Sequence, residues 1–253
     1  MNWATVSASV IGTSHEAAGT PCEDSCYAHV HSDFHGRPVL IVLVADGAGS
    51  ASCGGLGADR AIESALLAIS EQTKQAEYCL NEEFATNCII AVRERLYSDA
   101  SSAGNVARDY ACTLLGLVSN GTSTVVFQIG DGGIVVDTGE GLKLAVEPMS
   151  GEYANQTYFV TDMDALDHLA IKVLPESVRY AAAFSDGIQR LALNLDVGEP
   201  HAPFFAPFFS TLDKVPLERA IDLTEPLHVF LGSQAVNERT DDDKTLVLVA
   251  AKQ

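Results

Sequence analysis

Four aspartates lie at the ends of apolar segments, where a side chain is held more rigidly than in a free loop. Asp46, Asp131 and Asp186 each follow an apolar or strand-like run, and each precedes a glycine. Asp242 instead lies just before the start of such a run. Each aspartate alone is typical of a turn or a cap. Because the pattern recurs, the set as a whole indicates a cation-binding site.

Converging carboxylates repel one another, and a divalent cation relieves that repulsion. Oxygen ligands without a set of histidines and cysteines favour Mg²⁺ or Mn²⁺ over zinc. Antiparallel strands bring one strand's end beside its neighbour's beginning, so the four aspartates could meet at one rim of the sheets. Glu23 and Asp24 add two carboxylates beside a predicted strand. Gly47, which has no side chain, would let a metal approach its backbone carbonyl.

Apolar runs predict the strands that position these residues. Val39 to Ala45 is unbroken and rich in branched residues, which predicts a buried strand ending at Asp46. Asn120-Gly121 lies between two apolar runs and predicts an antiparallel hairpin. The other predicted strands are Trp3 to Ile11, Cys26 to His31, Thr113 to Val118, Val125 to Ile129, Ile134 to Val136, Tyr180 to Phe184 and Lys244 to Ala250.

Helical spacing of apolar residues alternates with these strands. Gly12 to Pro21, which contains His15, is predicted to be a loop. The aromatic stretch HAPFFAPFF, His201 to Phe209, predicts a loop and helix that cover the core, with a partner-docking patch as the alternative. The predicted helices are Ala58 to about Ser70, Leu80 to Tyr97, Ile188 to Leu195 and Pro226 to Asn237.

Composition narrows the class of protein. The chain has 253 residues, 47% of them hydrophobic, which fits one large domain over 1–253. Its net charge of −19 argues against nucleic acid or an anionic membrane as the main partner. Met1 to Val10 lacks the features of a secretion signal, and no apolar run is long enough for a membrane span. Six scattered cysteines predict reduced thiols, so we expect a cytoplasmic protein.

The acidic motifs occur in an order that resembles the protein phosphatase 2C family, whose members are metal-dependent serine/threonine protein phosphatases. The resemblance runs from about Ser9 to Val249, and Gly151 to Asn155 resembles a compact bacterial branch of the family. It is carried by Glu23-Asp24, Val44-Ala45-Asp46-Gly47, Thr113, Gly130-Asp131-Gly132, Ser185-Asp186-Gly187 and Asp242-Asp243-Lys244-Thr245.

The resemblance implies an α+β fold, a four-layer α-β-β-α sandwich in which helices flank two central antiparallel sheets. It also implies a single catalytic domain. The segment from about 145 to 167 lies where the family carries a flap beside the active site, although a plain surface loop is equally compatible with its sequence.

The resemblance also implies two Mn²⁺ or Mg²⁺ ions. Asp46 would bridge them. Glu23 and the Gly47 carbonyl would complete one ion, and Asp186 and Asp242 the other.

Further roles follow from the same resemblance. Asp24 would hold metal-bound waters and, with Asp46, forms the implied catalytic pair. Asp131, together with Asp186, would hold a third, weaker ion. A water or hydroxide bridging the metals would attack phosphoserine or phosphothreonine directly.

The closing motif fixes the last ligand by its alignment. Matching Thr245 to the family's closing threonine selects Asp242 over Asp241 or Asp243, and a shift by one residue is the alternative.

One departure concerns the substrate phosphate. The family usually has an arginine shortly before the Glu-Asp pair, whereas here no lysine or arginine precedes Arg37. His15 is the nearest candidate for contacting the phosphate, and an ordinary loop histidine is the alternative.

These features together predict a Mn²⁺- or Mg²⁺-dependent serine/threonine protein phosphatase. Its expected partners are phosphorylated proteins, namely a Ser/Thr kinase or that kinase's targets, and we expect a monomer. A second hypothesis is a catalytically weak phosphoprotein-binding regulatory module on the same fold. A third is a nucleotide-binding enzyme using the loop from Gly47 to Gly57, although that loop lacks Gly-Lys-Ser/Thr.

Overall fold

Two five-stranded antiparallel sheets face each other at the centre of the molecule. The structure is a computed structural model, and it describes residues 1–147 and 157–252. The first sheet has the order β1-β12-β9-β6-β7. Its strands are β1 (Asn2–Val10), β6 (Gly133–Asp137), β7 (Lys143–Leu144), β9 (Tyr180–Phe184) and β12 (Lys244–Lys252).

The second sheet contains the predicted hairpin and has the order β2-β3-β4-β5-β8. Its strands are β2 (Asp24–Ser32), β3 (Pro38–Asp46), β4 (Leu114–Ser119), β5 (Thr124–Ile129) and β8 (Ala170–Leu174). The short strands β10 (Leu193–Asn194) and β11 (Glu199–Pro200) pair separately.

Helices cover both outer faces. On the second sheet lie α2 (Gly54–Thr73) and α3 (Glu82–Ser102). On the first sheet lie α4 (Asp186–Ala192), α5 (Ala202–Lys214), α6 (Thr224–Leu231) and α7 (Gln234–Asn237). The remaining helical segments are α1 (Thr13–Ala18) and two 3₁₀ helices, Ala107–Tyr110 and Leu217–Leu223. The expected α-β-β-α sandwich with two antiparallel sheets is confirmed.

Strand β3 explains the unbroken apolar run. Successive side chains of a strand point to opposite faces. Ile41 and Leu43 pack with the helices α2 and α3, whereas Val42 and Val44 pack between the two sheets. Both faces are therefore dry, and no position before Asp46 can be polar.

The structure differs from the sequence prediction in several elements. The predicted loop from Gly12 to Pro21 contains helix α1, and none of that helix's residues is buried. The short helix lacks an apolar face, so no periodic signal marks it. Strand β8 was not predicted, because as an edge strand it exposes Lys172 and Val173 instead of alternating cleanly. Within the proposed flap, residues 148–156 lie outside the described part.

The stretch HAPFFAPFF forms the beginning of α5. Phe205 and Phe209 are buried against the first sheet, whereas Phe204 and Phe208 are half-buried. This packing agrees with the interpretation that the stretch covers the core.

Candidate active site

The ends of β2 and β3 bring the first carboxylates together. Asp24 and Asp46 are paired residues in the antiparallel ladder. The Asp46 amide donates to the Thr113 hydroxyl at 3.0 Å, and the Thr113 amide donates to the Asp46 carbonyl at 2.8 Å. The backbone of Asp46 is thus held from both sides, so its carboxylate projects from a fixed position.

Glu23 and Gly47 lie next to this pair. The Gly47 amide donates to the Glu23 carbonyl at 3.1 Å. A side chain on Gly47 would clash with the backbone of Gly54, where α2 begins. Glycine is therefore required at this position for close packing of the helix, in addition to any approach by a metal.

The first sheet contributes Asp186 and Asp242. Asp186 is the first residue of α4, directly after β9 and Ser185, and Asp242 lies shortly before β12. A side chain on Gly187 would clash with the carbonyl of Asp243, so this glycine lets the two segments lie side by side.

Asp131 occupies the turn between β5 and β6. The Gln189 side chain donates to the Asp131 carbonyl at 2.7 Å, which ties the turn to α4. The Thr157 hydroxyl donates to the Asp131 carboxylate, so the residues that follow the undescribed segment reach this site.

The aspartates interact electrostatically as one cluster. Burial raises the pKa of Asp46 well above its ordinary value, and the charges of four other aspartates raise it further. Those four are Asp24, Asp186, Asp242 and Asp131. The pKa of Asp186 is raised to about 6, first by burial and then by the charges of Asp131 and Asp242. The structure therefore gathers the predicted aspartates from both sheets.

Asp24 is the most elaborately supported member of the cluster. Its Oδ2 accepts hydrogen bonds from the hydroxyls of Ser185 at 2.7 Å and Thr245 at 2.8 Å. Burial raises its pKa to about 7 even though these two bonds act in the opposite direction. Sequence reasoning quoted the two hydroxyl residues in the motifs but gave them no role. Their positions next to strand-end aspartates were the available signal.

Asp243 is the site residue that sequence reasoning missed. It is only 3% exposed. Its carboxylate accepts the amides of Gly12 and Glu23, each at 2.6 Å, and contacts His15 Nδ1 at 2.9 Å. His15 is therefore joined to the site through Asp243. Asp241 and Asp242 are exposed, so the acidic triplet is distinguished by burial, which its sequence does not reveal.

The chemistry of the donor set was compared with the implied divalent ions. In residues 1–147 and 157–252, no three side chains of His, Cys, Asp and Glu are arranged as a ready ligand group. Two buried carboxylate oxygens, Asp24 Oδ1 and Asp186 Oδ1, have no hydrogen-bond partner in that part of the chain. Unpaired, mutually repelling oxygens fit a hard cation such as Mg²⁺ or Mn²⁺.

Known proteins share this arrangement of sequence and fold. The family described as "Protein phosphatase 2C" matches residues 11–231. A relative from Escherichia coli (strain K12), "Serine/threonine-protein phosphatase 3", is 48% identical over 248 residues, covering 98% of each chain. The chain belongs to the protein phosphatase 2C family.

Solved structures resemble the fold at low sequence identity. PppA, described as a key regulatory component of T6SS in Pseudomonas aeruginosa, is 16% identical with a TM-score of 0.63, covering 100% of this chain and 99% of that one. The serine/threonine phosphatase Stp1 from Staphylococcus aureus is 16% identical with a TM-score of 0.58, covering 98% and 95%. At this identity the similarity concerns the fold alone.

Among the described residues, none of the helices has the length and apolar character needed to cross a bilayer.

Proposed function

We propose that the chain hydrolyses phosphoserine and phosphothreonine in proteins and depends on divalent metal ions for this activity. The observation that supports it best is the cluster around Asp46, in which aspartates from both sheets raise its pKa together. A site that destabilises its own carboxylates to this extent is suited to binding cations. The name of the Escherichia coli relative supports the same substrate class.

The proposed metal ligands are those implied by the family. Asp46 would bridge two Mn²⁺ or Mg²⁺ ions. Glu23 and the Gly47 carbonyl would serve one ion, while Asp186 and Asp242 would serve the other. Bound divalent ions would supply a more acidic attacking water and would screen the charge of the phosphate.

The remaining roles belong to residues that need not bind the two main ions. Asp24 keeps its Oδ1 free of protein donors while Oδ2 is held by two hydroxyls, so Oδ1 can accept a hydrogen bond from the attacking water. Asp131, with Asp186, would hold a third, weaker ion. His15 would contact the substrate phosphate in place of the missing arginine.

The alternative functions receive less support. A weak regulatory module would be expected to have lost a metal carboxylate, yet all the predicted acidic residues are present near one site. A nucleotide loop is disfavoured because the start of α2 packs tightly on Gly47, which leaves that backbone no room to cradle a phosphate.

The proposed setting follows from charge and cysteines. The net charge of −19 disfavours nucleic acid and anionic membranes as partners. The cysteines within the described residues are free thiols, which suits a cytoplasmic protein. We propose a monomer that acts on a Ser/Thr kinase or its targets.

The test is hydrolysis of a phosphothreonine peptide with Mn²⁺, with EDTA, and by Asp46→Asn. We expect activity only in wild type with Mn²⁺. Asp196→Asn, an exposed aspartate between β10 and β11, is the matched control and should match wild type. Equal activity under all conditions would refute the proposal.

A further inference from the structure

Asp243 is the buried junction of three chain segments at the rim of the site. Its Oδ1 accepts the Gly12 amide at 2.6 Å, just before α1. Its Oδ2 accepts the Glu23 amide at 2.6 Å, just before β2. Asp243 itself immediately precedes β12. Short bonds from backbone amides to a carboxylate are strong and directional, so this carboxylate has a fixed orientation.

The third contact of this carboxylate is with His15. Asp243 Oδ2 lies 2.9 Å from His15 Nδ1, and the two side chains are 4% and 20% exposed. A carboxylate only accepts hydrogen bonds, so Nδ1 must carry the proton in this contact. Nε2 is then the ring atom left to face the site.

We propose that Asp243 is a positioning residue that fixes the imidazole of His15 through Nδ1 and presents Nε2 to the substrate phosphate. This inference rests on the proposed phosphatase function and assigns a role to a carboxylate outside the implied metal ligands. The amides of Gly12 and Glu23 lock Asp243, and Asp243 in turn locks His15. The group that replaces the missing arginine is therefore a pair of residues from opposite ends of the chain.

The physical reason for such a pair is the length of the side chain. Histidine is shorter than arginine and has one ring nitrogen for each of two partners. Without a partner at Nδ1, the ring of a residue on a six-residue helix without buried residues would rotate freely. Fixing the ring beforehand lowers the ordering cost when the substrate binds.

The first test does not depend on turnover. ¹⁵N NMR of the imidazole in metal-free wild type should show a proton on His15 Nδ1. In Asp243→Asn, the amide cannot accept from Nδ1 and the Glu23 amide together in the same way, so the Nδ1 proton signal should be lost or mixed. A wild-type spectrum with a bare Nδ1 and a proton only on Nε2 would overturn the inference, whether or not any variant folds.

The second test is a double-mutant comparison with the phosphothreonine peptide. His15→Ala and Asp243→Asn should each lower kcat/KM by roughly 10- to 100-fold, as expected for loss of a charged hydrogen bond. The double variant should be within about threefold of the worse single variant, because both remove one interaction. Asp241→Asn, an exposed neighbour, should match wild type. Multiplying effects would overturn the inference.

The two tests separate the proposals. Absence of metal-dependent hydrolysis in wild type would refute the phosphatase function, while the NMR result would still decide the His15 contact. Normal hydrolysis with a bare Nδ1 would refute the positioning role alone.

Discussion

Asp24 and Asp46 lie directly opposite each other on β2 and β3, where like charges are normally excluded from a sheet. Their charges oppose each other, and burial raises the pKa of both. Without metal, the folded protein therefore holds protons that the unfolded chain would release near pH 4.

This gives a prediction for the pH dependence of stability in EDTA. Because the folded pKa of Asp24 is about 7, its favourable contribution is complete below pH 4 and is lost as the pH rises towards 7. The free energy of unfolding should fall by about 1.4 kcal/mol per pH unit for each proton that only the folded state holds.

Urea unfolding of wild type and Asp24→Asn at pH 4.5, 6 and 7.5 would measure this. The difference between the two proteins should grow with pH, since the asparagine cannot be charged. Parallel stability curves would show that Asp24 does not titrate in this way.

Asp46→Asn provides a second prediction, in which stability and metal binding change in opposite directions. Removing the charge relieves repulsion from several aspartates, so the metal-free variant should unfold at a higher temperature than wild type at pH 7.5. Mn²⁺ at about 100 times its Kd should stabilise wild type by about 2.7 kcal/mol and the variant by much less.

A thermal shift assay with and without Mn²⁺ measures both effects, and Asp196→Asn should behave as wild type in each. A metal-free Asp46→Asn that is less stable than wild type would contradict the electrostatic argument.

The residues that sequence predicted well carry a local signal. Asp46 and Asp186 each end an apolar run, so the position of the strand end is visible in the chain itself. The hairpin at Asn120-Gly121 is similar, because turn chemistry and strand pattern coincide.

Asp243 and α1 lack such a signal. Asp243 sits in a run of three aspartates, and only tertiary packing decides which one is buried. Helix α1 buries no residue, but the Ser14 amide donates to the Asp241 carbonyl at 2.9 Å, a contact with a segment more than two hundred residues away. Such long-range contacts appear only once the sheets are assembled.

Ser185 offers a third prediction, concerning the support of Asp24. Its hydroxyl donates to Asp24 at 2.7 Å and accepts the buried Thr245 amide at 3.1 Å. Ser185→Ala would leave that amide without its acceptor, so the protein should lose about 1–3 kcal/mol of unfolding free energy.

Urea unfolding at fixed pH would measure the loss, and the exposed Ser101→Ala should change stability by less than about 0.5 kcal/mol. If both variants were equally mild, the hydroxyl would not be a structural support.

Phe205 gives the final prediction, which separates the two interpretations of HAPFFAPFF. Phe205 is fully buried and packs against Phe184 of β9 and against Phe209. Phe205→Ala should remove about 3–5 kcal/mol of unfolding free energy, because it leaves a cavity in a close-packed layer. Phe208→Ala, at a half-buried position on the same helix, should cost clearly less. Urea unfolding of both variants provides the measurement. Equal and small losses would mean that the aromatic residues do not support the core, since a docking patch contributes to binding and not to the stability of the isolated chain.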